Sequence, residues 1–296
     1  MKGYKPSQTA EFMALFRALE SSRRPSSTKL FNDPFAYFFL RPSFKCAVQL
    51  SRVPRLGTVV PRFIDQRWPG ARSSGIARTR LIDDYLSAAL CAGIDQVVIL
   101  GSGFDCRAYR LREMKEVHVF EVDYPITLLR KTNEMKRVLG ALPSNLAYVS
   151  ADFNTQSLGQ IMRDSGFIAN RRSFFIWEGV TNYLTGQAVG DALTYIGRET
   201  APGSFIAFTY VHKGLLDGSK QFVGTYHLWK TLQRTGEPWT FGIYPTHLQA
   251  CLGSRGLTLL EDLGASEYRE RYMGSSAHTM QGYEFYRVAY ACKHSS

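Results

Sequence analysis

The chain has 296 residues, 45% of them hydrophobic, and a net charge of +11. This content supports a sizeable core in one large domain, or in one domain with an attached lobe, and 19 Phe and 16 Tyr argue against disorder. No apolar run approaches membrane-spanning length, the start lacks the continuous apolar stretch of a signal peptide, and five scattered cysteines (Cys46, Cys91, Cys106, Cys251, Cys292) match no zinc spacing. Reduced thiols in a cytoplasmic protein are the expected state.

Residues 8–20 place Phe12, Leu15, Phe16 and Leu19 at helical spacing. The stretch 21–35 reads as a loop broken by Pro25 and Pro34, and Pro54, Gly57, Pro61, Pro69 and Gly70 predict an irregular segment over 50–74. A helix is expected from Ile76, with Leu81, Ile82, Tyr85, Leu86 and Leu90 on one side and Gly93 as its stop. The first 80 residues hold 15 Lys/Arg against four acids, while the remainder is balanced at 21 each, so the whole excess sits here. It reads either as a site for an anionic partner (nucleic acid or an acidic small substrate) or as a solvated basic face that keeps the protein soluble.

Beyond Gly93 strands and helices alternate. Strands are predicted near 96–101, 117–123, 146–153, 173–179 and 204–211. Helices are expected after Pro125, near 155–165, and from Thr185 to about Thr200. Residues 212–244 break the rhythm with Gly, Lys and aromatics. A helix near 245–254 follows, then two strands, 257–263 and 283–292, with no helical pattern between them and the look of an antiparallel edge. Such alternation predicts an α/β fold: a doubly wound sheet, mostly parallel, that binds ligands at the carboxyl ends of its strands.

Polar residues stand where that rule wants them. After the first strand come Gly101, Ser102, Gly103 and Asp105; the second ends in Asp123, 20 positions beyond Gly103, where a carboxylate can accept both hydroxyls of a ribose. The third ends at Asp152 and Phe153, an acceptor for an exocyclic amine beside a ring to cover an adenine face, and the fourth at Glu178 and Gly179. A single strand-end acid is commonly a helix cap, and a glycine turn is commonly only a turn; three such acids in succession are harder to dismiss. A dinucleotide-binding turn wants a third glycine where Cys106 stands, and a row of acids would repel a pyrophosphate. The same row tolerates a sulfonium, which favours S-adenosyl-L-methionine.

The stretches ARTRLIDDYL, VVILGSGFDCRAYRL, VFEVDYP, VSADF and FIWEGVTNYL, with LFNDPFA near Asp33, resemble the leucine carboxyl methyltransferase family and its bacterial relatives over roughly residues 10–215. The resemblance implies a class I methyltransferase fold, Rossmann-like with seven strands, and an N-terminal helical extension over the site. Residues 1–74 would then be a basic extension or lid, and 75–296 the methyltransferase domain with a substrate-side insertion at 212–244. It implies Arg78 as partner of the cofactor carboxylate, Gly101 and Gly103 beside its methionine part, Asp123 at the ribose, Asp152 and Phe153 at the adenine, and Glu178 as the acid after the fourth strand. CRAYRL and the region 212–244 depart from the phosphatase-methylating members, which points to a small-molecule or peptide carboxylate as acceptor.

A carboxylate needs no general base to accept a methyl group; it needs alignment and exclusion of water. Arg23, Arg24, Tyr183, Tyr210, His212 and Trp229 are the candidates for orienting it. For His212 the plainer reading is a surface loop residue, and for Tyr183 a helix-packing aromatic. No metal site, membrane partner or nucleic-acid partner is expected. A hydroxyl acceptor, with His212 as base, is the alternative chemistry; an NAD-binding oxidoreductase and a basic nucleic-acid-binding protein are the alternatives from other classes.

Overall fold

The computed structural model describes residues 8–23, 29–53, 56–153, 155–236 and 238–294. Among the described residues four α-helices precede the first strand: α1 (Gln8–Ser22), α2 (Pro42–Ser51), α3 (Val59–Arg67) and α4 (Ala71–Cys91). The segment 50–74, expected to be irregular, thus carries all of α3 and the start of α4. Pro61 is the third residue of α3 and Pro42 the first of α2, positions where the missing N–H has no intrahelical partner to lose. Gly70 at φ +79 turns the chain between α3 and α4, and Gly93 at φ +83 follows the end of α4.

The alternation then runs β1 (Gln96–Leu100), α5 (Arg107–Arg110), β2 (His118–Asp123), α6 (Pro125–Leu139), β3 (Leu146–Ser150), α7 (Leu158–Asp164), β4 (Ser173–Trp177), α8 (Gly186–Glu199) and β5 (Phe205–Val211). Thr185 caps α8 by accepting the N–H of Ala188, so the helix starts where its side chain can satisfy an orphan donor. Residues 212–244 contain α9 (Lys213–Leu216) and α10 (Thr225–Thr235); α11 (Pro245–Gly253), β6 (Leu257–Gly264), α12 (Ala265–Met273) and β7 (Tyr286–Lys293) complete the chain. A helix between the last two strands was not expected. Its sequence, ASEYRERYM, is rich in charge and shows no apolar stripe, but Tyr268 and Arg269 turn inward against α4, with the Tyr268 hydroxyl 2.6 Å from Ser74 Oγ.

The seven strands are ordered β3-β2-β1-β4-β5-β7-β6. The first five are parallel, and β7 runs antiparallel between β5 and β6. Every residue of β1 and β4 is buried, as central strands covered on both faces must be. One face packs against α1, α4, α6 and α12, the other against α7, α8 and α11. This is the class I methyltransferase architecture. Strand order reverses at β1, between β2 and β4, so a crevice opens at the carboxyl ends of β1 and β4.

Candidate active site

The crevice is a cavity of about 190 Å³, floored by the ends of β1, β2 and β4 and the segment after β3. Its floor is the turn after β1, where Gly101 has φ +65 and Gly103 φ +46. A Cβ at Gly101 would lie 2.3 Å from Val180 Cγ2, so the position needs glycine for its backbone and for space. Ser102 Oγ is buried at this turn and has no hydrogen-bond partner, an orphan that a ligand group in the cavity would satisfy. At the end of β2 the Asp123 carboxylate accepts the N–H of Gly103 and, at 2.6 Å, that of Tyr124. Burial pushes its pKa up, and these two N–H bonds offset the rise only in part. An ionised carboxylate has about four lone-pair sites, so two bonds leave room for ribose hydroxyls.

Asp152, Phe153 and Glu178 also line the cavity. Glu178 sits between two arginines: Arg78 Nε donates to its Oε1 at 2.8 Å and Arg107 Nη1 to its Oε2 at 2.9 Å. Burial alone would raise the Glu178 pKa, but Arg107 and then Arg78 outweigh it and the net shift is downward. Arg107 is itself 2% exposed and also reaches Asp83 Oδ1 at 2.8 Å, Asp105 and the Thr79 carbonyl. Burial likewise pushes Asp105 up, and Arg107, Lys131 and Arg17 bring it down to about 2. The row of acids at the cavity is therefore partly an internal ion-pair network. Arg78 lines the cavity with its guanidinium 4.6 Å from the centre of the Tyr286 ring.

The roof is α1, which contributes Thr9, Ala10, Met13 and Arg17. Arg17 is anchored through Nε to Asp33 Oδ2 at 2.8 Å and through Nη2 to the Phe104 carbonyl, tying α1, the following loop and the glycine turn together. Tyr183 also lines the cavity, its hydroxyl 3.2 Å from Thr9 Oγ1, so that the segment after β4 meets α1 across the mouth.

The other acceptor candidates lie elsewhere. The Tyr210 hydroxyl donates to Asp262 Oδ2 at 2.9 Å and accepts from Arg287 Nε, in a partly buried cluster that is not part of the cavity. His212 caps α9, its Nδ1 accepting the N–H of Gly214, and packs between the rings of Phe222 and Tyr244; burial, then Lys220 and Arg287, lower its pKa. Trp229 is 36% exposed on α10, and Arg23 is paired with Glu20 at 3.1 Å. Neither borders the cavity, and Arg24 lies outside the described residues. Arg17 and Arg107 were missed by sequence reasoning. Arg107 lies inside CRAYRL, four residues after Gly103, and position was its only visible signal.

Several known proteins are similar to this chain. A protein of Frankia alni is 34% identical over 202 residues, covering 68% of each chain, and is named provisionally as an S-adenosyl-L-methionine-dependent methyltransferase. One from Bacillus subtilis (strain 168), with the same provisional name, is 27% identical over 219 residues, 74% of this chain and 72% of its own. A crystal structure from Thermobifida fusca YX, provisionally described as a methyltransferase, superposes with a TM-score of 0.60 at 17% identity, covering 99% of this chain and 100% of that one, and shares the fold. Residues 10–197 match the family described as leucine carboxyl methyltransferase, a span that includes the glycine turn, the strand-end carboxylates and the helix that roofs them. The chain belongs to the leucine carboxyl methyltransferase family.

Proposed function

We propose that the protein transfers a methyl group to a carboxylate oxygen of a small molecule or peptide, forming a methyl ester. As a member of its family it is an S-adenosyl-L-methionine-dependent methyltransferase. One observation favours a carboxylate acceptor: the described residues lining the cavity include no histidine or cysteine. Glu178 and Asp105 are held ionised by arginines, which makes them weak bases, and His212 is spent on capping α9. An acceptor that arrives already ionised fits such a cavity; a hydroxyl would have to lose a proton there.

In this reading the turn 101–103 lies beside the methionine part of the donor, with Ser102 Oγ as a polar contact, and Arg78 faces the donor carboxylate. Asp123 accepts from the ribose hydroxyls, Asp152 accepts from the adenine amine, and Phe153 covers a face of the base. Bound there, the donor supplies an electrophilic methyl group on a sulfonium. Tyr183 orients the acceptor from the cavity mouth. The segment 1–74 acts as a lid that excludes water, supported by the four residues of α1 in the roof, and its boundary with the catalytic domain falls inside α4. Five free thiols suit a cytoplasmic enzyme.

The test is a screen of carboxylic acids and peptides with methyl-labelled donor, followed by mild alkali. Esters release the label as methanol; an alkali-stable label would place the methyl on another oxygen or on nitrogen and overturn the carboxylate reading.

A further inference from the structure

We propose that α2, α3 and the described residues 52, 53 and 56–58 between them, continued by the start of α10, form a face that docks on an anionic lipid bilayer. Two short segments, 50–63 and 223–229, hold eight of the twelve exposed large apolar side chains among the described residues. In the first, Leu50, Val53 and Leu56 lead to Val59 and Phe63, which are four apart on one face of α3 and 49% and 64% exposed. In the second are Val223, Trp229 and Tyr226, the last 70% exposed. The second segment approaches the turn that follows α3: a Cβ at Gly224 would sit 3.6 Å from the Pro69 carbonyl. Soluble proteins rarely leave so much apolar surface in one place without a partner.

Charge selects the partner. From Arg41 to Arg72 the chain has seven Lys/Arg and a single acid, Asp65, which Arg72 holds at 2.6 Å. Arg52 and Arg62 are exposed between the apolar tips, and Lys220, Lys230 and Arg234 continue the positive field around α10. Apolar tips interleaved with arginines are what an interfacial helix presents: the tips enter the boundary below the head groups while the cations stay among the phosphates. No helix among the described residues is long and apolar enough to cross a membrane. Lying on a surface is a separate demand, met by a few protruding side chains and a positive field.

The experiment is co-sedimentation of the full chain with vesicles of phosphatidylcholine alone and of phosphatidylcholine with about a third phosphatidylglycerol, at low and high salt. Binding is expected to the anionic vesicles only, and to fall at least about tenfold as salt rises past the range where surface charge is screened. Val59→Ser with Phe63→Ser should lower the partition about tenfold, and Arg52→Glu with Arg62→Glu at least as far, since each cation near such a surface is worth about fivefold. Leu129→Ser, on an exposed apolar residue of α6, should bind as the parent does. All variants must keep the parent's circular dichroism and donor affinity. Absence of binding to anionic vesicles would overturn the proposal, as would equal binding by all variants. A concentration-dependent dimer abolished by Phe63→Ser, or salt-sensitive capture of RNA or an acidic protein without vesicle binding, would also overturn it.

Discussion

Replacing Arg107 with Met keeps most of the volume of a 2% exposed side chain and removes its charge from among three carboxylates. The carboxylates do not lose equally. Asp83 keeps Arg110 at 2.6 and 2.7 Å, and Glu178 keeps Arg78 at 2.8 Å. Asp105 keeps only the backbone N–H of residue 107, at 2.7 Å, with Lys131 and Arg17 farther off. Breaking a buried pair by deleting one partner typically costs about 3–5 kcal/mol, a large share of the roughly 5–15 kcal/mol that holds a domain folded. Urea titration at neutral pH should show a loss of that size, and adding Asp105→Asn to the Arg107→Met variant should recover about 1–3 kcal/mol by removing the stranded charge. The acid limb gives an independent sign. Asp105 is lowered from 3.8 to about 2, so its contribution is fully present above pH 3.8 and is lost as pH falls through about 2. At about 1.4 kcal/mol per pH unit this amounts to roughly 2.5 kcal/mol in the parent, and it should vanish from the acid limb of Arg107→Met. A loss under about 1 kcal/mol, or an unchanged acid limb, would refute the claim that Arg107 holds this network together.

Arg78→Ala should spare folding, because Glu178 retains Arg107, but should weaken S-adenosyl-L-methionine binding about tenfold to a hundredfold in calorimetry, the worth of one charge-assisted bond; Arg78→Lys should restore part of it. Arg72, paired with Asp65 away from the cavity, serves as comparison: equal donor affinities of Arg72→Ala and Arg78→Ala would remove Arg78 from the site. Gly101→Ala should abolish measurable donor binding, since its Cβ would meet Val180 at 2.3 Å, and adding Val180→Ala should relieve the clash while about 1 kcal/mol of strain from φ +65 remains in urea unfolding. Full donor affinity in the single variant would show that the turn has slack that the geometry does not.

The core of the fold was legible because β1 and β4 are covered on both faces, so that burial itself writes a continuous apolar run into the chain. The strand-end residues were legible for a related reason: the ends of parallel strands share one edge of the sheet, and position along the chain becomes position in the crevice. Neither rule reaches α3 or α12. Pro61 marks a break in the helix interior but not in the first turn, and sequence alone does not say which turn it occupies. In α12 the buried residues are Ala265, Tyr268 and Arg269, and a buried arginine carries no apolar signal.

The basic N-terminal excess shows the same limit. Reading it as a single solvated face treats every cation alike, yet Arg17 and Arg78 are buried in ion pairs with Asp33 and Glu178 at the cavity, and Arg72 pairs with Asp65. Their partners lie 16, 100 and 7 residues away in the chain. Pairing over such separations is set by the packing of α1 and α4 on the sheet, which charge counting does not contain. Other cations of the same segment, Arg52 and Arg62, stand exposed beside apolar side chains that the core does not take. A buried cation must find a carboxylate, whereas a surface cation is stable in water, so the second set is free to answer to a partner outside the molecule.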